Sequence, residues 1–105
     1  MALTREFKET VMEQCKNPEF RQALLAEALE TLLEGDIATA NSLLKDYLNG
    51  CGAFEEISES TGLDVTNIRR ALNPKSNPTI KKVMTIIGSC LSREQVSVST
   101  QLIPH

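Results

Sequence analysis

The stretch 57–74, ISESTGLDVTNIRRALNP, decides how the chain is read, because it sets a glycine between two short apolar-patterned segments and then presents paired arginines. Two short helices joined by a tight turn must cross closely, and that crossing fixes residue types at fixed offsets. The first helix needs a small residue where the second rides over it, and Ser58 stands there. Four residues on, the turn needs a positive φ, which glycine adopts without steric cost, and this is Gly62. Six further on, a branched apolar side chain must enter the shared core, and this is Ile68, with Ile57 and Leu63 packing beside the turn.

The second helix, expected from Val65 to Leu72 with Asp64 as its cap, divides cleanly at ~100° per residue. Val65, Ile68, Ala71 and Leu72 fall on one side and form the expected buried face. Thr66, Arg69, Arg70 and Asn73 fall together on the other, and all of them are hydrogen-bond donors. Arginine can bind guanine O6 and N7 through two parallel bonds, asparagine can do the same for adenine, and threonine offers a hydroxyl and a methyl. This stripe suits base edges in the major groove. Lys75, Lys81 and Lys82 follow, and the next helix opens at Asn77-Pro78-Thr79, a start suited to a phosphate. Singly, each feature is ordinary: a glycine helix cap, a solvated charged face. Together they point to DNA.

The chain of 105 residues carries a net charge of −3, which alone argues against a nucleic-acid partner. The charges are segregated, however. Residues 1–52 hold five basic against nine acidic side chains, whereas residues 64–82 hold five basic against the single acid Asp64. One half is acidic and one patch is basic. With 41% apolar residues, one Tyr, three Phe and no Trp, the chain can bury one aliphatic core, which favours helices over a sandwich or barrel. Cys15, Cys51 and Cys90 lack metal-ligand spacing and read as free, buried thiols in a reducing cytoplasm. No apolar run approaches the ~20 residues of a membrane span.

The fold class expected is all-α. Thr4 can cap a first helix carrying Phe7, Val11 and Cys15. Asn17-Pro18-Glu19 starts a second, with a wide apolar stripe from Phe20 to Leu33 that ends at Gly35. Asp36 caps a third, with Ile37, Ala40, Leu43, Leu44, Tyr47 and Leu48 inward, stopped by Gly50 and Gly52. A short helix from Ala53 to Ser60 precedes the one described above, and a last helix places Ile80, Val83, Met84, Ile87 and Leu91 inward. Residues 1–93 form a single helical domain on this reading, with N-terminal helices over 1–50 and the DNA-binding part over 53–93. The tail 94–105 loses the helical period and briefly alternates, as a frayed end or an edge strand would.

Residues 54–91, FEEISESTGLDVTNIRRALNPKSNPTIKKVMTIIGSCL, resemble the Cro/cI, or lambda-repressor-like, helix-turn-helix family. With the upstream NPEFRQALLAEALETLLEGDIATANSLLKDYLNG, the chain is similar to short addiction-module antidotes of type II toxin-antitoxin systems. The resemblance implies a homodimer that represses its own promoter and neutralises a small basic toxin protein. It also implies Thr66, Asn67, Arg69 and Arg70 as base-reading positions. Ser58 departs from the alanine usual in the family, and the long helices before the motif exceed a minimal repressor.

Other chemistry has little to stand on. His105 is the only histidine and is terminal, and no nucleophile-base pair, paired carboxylate or phosphate-cradling glycine loop can be built, so neither an enzyme nor a cofactor is expected. Tyr47 and Met84 read as core. Glu27, Glu30, Glu34 and Asp36 could form an anionic patch facing a basic partner. The reading is therefore a cytoplasmic DNA-binding regulator and antitoxin, the alternative being a helical protein-protein adaptor that does not touch DNA.

Overall fold

The computed structural model describes residues 5–105, with side chains from residue 10 onward. The expected Thr4 cap and the Phe7 side chain lie outside the described residues. Among the described residues six helices follow one another: α1 (Arg5–Gln14), α2 (Pro18–Leu33), α3 (Ile37–Cys51), α4 (Phe54–Thr61), α5 (Val65–Ala71) and α6 (Ile80–Arg93). There is no strand among the described residues, so the tail runs without secondary structure rather than as an edge strand.

Local chemistry explains most of the boundaries. The Asn17 side chain accepts from the Glu19 amide and Pro18 occupies the first turn, where no N–H is missed. Asp36 accepts from the Thr39 amide and hydroxyl, which holds its own carboxyl below the ordinary aspartate value. Asp64 accepts from the Asn67 amide at 2.7 Å. At α6 the expectation shifts by two residues: Thr79, not Asn77, is the cap, its hydroxyl oxygen accepting from the Lys82 amide. Pro78 then precedes the cap.

α2 and α3 are joined by three residues, fold back along each other and make the most extensive helix pair. α1 lies against α3, and the reason is Gly50. This residue was expected to end α3 but lies inside it, and a Cβ there would come within 2.4 Å of Cys15 Sγ. The missing side chain is what lets the two helices approach; Gly52, left-handed at φ 62°, ends the helix.

One core joins α2 through α6: Leu25, Ala28, Leu44, Tyr47, Leu48, Ala53, Phe54, Ile57, Ile68, Ala71, Leu72, Val83, Ile86, Ile87 and Cys90. The last helix turns slightly differently from its expected setting. Ile86 and Cys90 are buried with Val83 and Ile87, while Ile80 and Met84 are 65% and 48% exposed. Met84 is therefore not a core residue. The apolar face of α6 is wider than its buried strip, and periodicity alone cannot choose which of two adjacent rows packs inward. Leu33 is likewise exposed at the end of α2. No helix is long and apolar enough to cross a membrane among the described residues.

Candidate nucleic-acid interface

The turn between α4 and α5 is built from hydroxyls as much as from Gly62. Gly62 adopts φ 77°, and its amide donates to the Ser58 carbonyl at 3.0 Å. The Ser58 hydroxyl donates to the Leu63 carbonyl at 2.5 Å, while Thr61 donates to Ile57 and accepts from the Leu63 amide. Ser58 therefore does more than leave room. Its O–H donor satisfies a turn carbonyl that an alanine would leave to water.

α5 presents the two faces expected of it. Ile68, Ala71 and Leu72 are buried and Val65 is partly so, whereas Thr66, Arg69, Arg70 and Asn73 are exposed. The Arg69 guanidinium lies over the Phe54 ring, 4.0 Å from its centroid. Among the described residues no carboxylate pairs with Arg69, Arg70, Lys75, Lys81 or Lys82.

Not every expected contact residue is open. Asn67 is half-buried, and its side-chain oxygen accepts from Lys82 Nζ at 3.0 Å, so these two residues tie α5 to α6. Asn73 is exposed, but its side-chain oxygen accepts from the Lys75 amide, which leaves its NH₂ as the outward group. The Ser76 hydroxyl donates to the Ala71 carbonyl at 2.6 Å, and the Asn73 carbonyl accepts from the Ser76 amide. These bonds fix the loop that carries Lys75. Asn77, Thr79 and Lys81 are exposed at the start of α6, with Thr79 engaged as the cap.

Asn41 of α3 reaches the same loop. It is fully buried, and its NH₂ donates to the Asn73 carbonyl at 3.4 Å, while its side-chain oxygen has no partner among the described residues. A polar residue in the middle of an apolar helix face gave this contact no readable signal.

A second charged cluster lies elsewhere. Glu94, its side chain 3% exposed, accepts from Arg21 Nε through both oxygens, from Arg93 Nη1 at 3.0 Å and from the Tyr47 hydroxyl at 2.5 Å. Arg93 also reaches Glu56 at 3.0 Å, and Arg21 donates to the Cys15 carbonyl. Burial raises a carboxyl pKa, but the Tyr47 hydroxyl and the arginines outweigh it and hold Glu94 below the ordinary glutamate value. Burial, and then the bond to Glu94, push the Tyr47 hydroxyl well up. The sequence held one clue: a buried tyrosine hydroxyl requires a partner.

This cluster borders an open cleft of about 880 Å³ between the ends of α1, α3 and α6, also lined by Cys15 and Cys51. Burial pushes the thiols of Cys51 and Cys90 up to about 12 and raises that of Cys15, so none is a ready nucleophile. No group of three His, Cys, Asp or Glu residues is placed to hold a metal among the described residues. No protein-family model, curated protein or solved structure matches the chain.

Proposed function

We propose that this protein is a sequence-specific DNA-binding transcriptional regulator that inserts α5 into the major groove as the second helix of a helix-turn-helix. The observation that carries this is the exposure of Thr66, Arg69 and Arg70 on α5 and of Asn73 just beyond it, with neighbouring cations that have no carboxylate partners among the described residues. The exposed Lys75 and Lys81 suit phosphates, and the Asn67–Lys82 bond serves to brace α5 on α6. A seven-residue helix reads few base pairs. The proposal therefore includes a homodimer over two half-sites about one helical turn, ~34 Å, apart.

The finer reading is that of an antitoxin repressing its own promoter. It rests on the resemblance of residues 54–91 and of the upstream helices to addiction-module antidotes. The excess of acids over residues 1–52 would suit a small basic toxin.

A salt titration on duplex DNA tests the primary reading. Log affinity falls with log salt at a slope near −0.9 per phosphate neutralised. An adaptor that does not touch DNA would bind the duplex negligibly at every salt concentration.

A further inference from the structure

We propose that Phe54 is a positioning residue that makes Arg69, rather than Arg70, the base-discriminating arginine of the α5 face. The inference rests on the DNA-binding reading above and assigns different work to two adjacent, chemically identical side chains.

Phe54 opens α4 and belongs to the core, with 6% of its surface exposed, so its ring is held from behind. Arg69 projects from α5 and lays its guanidinium over that ring. A guanidinium is planar and carries all its N–H donors in the plane. A ring across one face therefore leaves the donor edge open. No carboxylate consumes that edge among the described residues. The stack also restricts the side chain before any partner arrives, so less rotamer freedom remains to be lost on binding. A fork held in a fixed plane suits the paired acceptors of guanine, which demand direction as well as charge.

Arg70 is also exposed on α5 and has no such ring contact among the described residues. A mobile cation serves a phosphate, where charge matters more than orientation. Asn67, another candidate for base contact on this helix, has its side-chain oxygen occupied by Lys82. Between the two arginines, discrimination therefore falls on Arg69.

The test uses a duplex library with a randomised central segment, from which the wild-type protein selects its preferred sequence. The selected duplex and its single-base-pair variants are then titrated with wild type, Phe54→Leu, Phe54→Tyr, Arg69→Ala and the Phe54→Leu/Arg69→Ala double variant. Phe54→Leu should lower the preference at one base pair of each half-site about tenfold, equivalent to ~1.4 kcal/mol, and leave the salt slope unchanged. Phe54→Tyr should retain the preference, and in the Arg69→Ala background Phe54→Leu should change it no further. Preference is a ratio measured on one preparation, so a reduced folded fraction cancels from it.

In the free protein, the Arg69 side-chain protons should be displaced upfield by the ring in wild type and Phe54→Tyr, and not in Phe54→Leu. Absence of that displacement, or a Phe54→Leu effect of equal size at every base pair or undiminished without Arg69, overturns the inference while leaving DNA binding intact. A wild-type protein that selects no sequence removes the DNA-binding reading itself, and this inference with it.

Discussion

The charges around Glu94 and those along α5 are built in opposite ways. Glu94 is buried and answered by two arginines and a tyrosine drawn from α2, α3 and α6. Arg69 and Arg70 are exposed; one is met by a ring and neither by a carboxylate among the described residues. A buried charge without its partners costs the fold several kcal/mol, whereas an unpaired surface cation costs it almost nothing. The contrast separates charge that serves architecture from charge left available to something outside the molecule.

The largest effect on stability is expected at Glu94. Glu94→Ala strands Arg21 and Arg93 beside the buried Tyr47 hydroxyl and should lower stability by about 3 kcal/mol in a denaturant titration. The DNA affinity of the remaining folded fraction should not change. An acid titration sharpens the same point. Because the folded carboxyl sits below its ordinary value of 4.5, its stabilisation is complete above that pH and is lost as pH falls through the lower folded value. Glu94→Gln should flatten that acid limb.

The reverse pattern is expected at α5. Arg70→Ala should weaken DNA binding by on the order of 1–3 kcal/mol, read by fluorescence anisotropy, while moving stability by less than about 0.5 kcal/mol. A smaller effect is expected beside the Glu94 cluster. Gln95 holds φ 58°, a left-handed conformation that suits glycine, immediately after α6. Gln95→Gly should raise stability by about 0.5 kcal/mol without touching DNA affinity, which a thermal melt and a binding curve together would show.

The two regions also differ in how far the sequence exposes them. The α5 face was legible because both of its determinants are local: helical periodicity sorts Ile68 from Arg69, and Gly62 announces the turn. The caps at Asn17, Asp36 and Asp64 were legible for the same reason, since each acts within three residues. The Glu94 cluster was not, because Arg21, Tyr47 and Glu94 are far apart in sequence and each alone looks ordinary. Gly50 misled in a related way, being read as a local stop when its role is the close approach of Cys15. Ile80 and Met84 were misplaced because a wide apolar face does not say which row packs. The Asn67–Lys82 bond, spanning two helices, engages the side-chain oxygen of a residue that the family resemblance alone assigns to base contact.

Whether DNA binds at the α5 face can be read by chemical-shift mapping with the selected duplex. Backbone and side-chain perturbations should concentrate on residues 66–82, strongest at Thr66, Arg69, Arg70 and Lys75, with α2 and the Glu94 cluster quiet. Perturbations centred on α2 and α3, with α5 unmoved at saturating duplex, would contradict binding at α5.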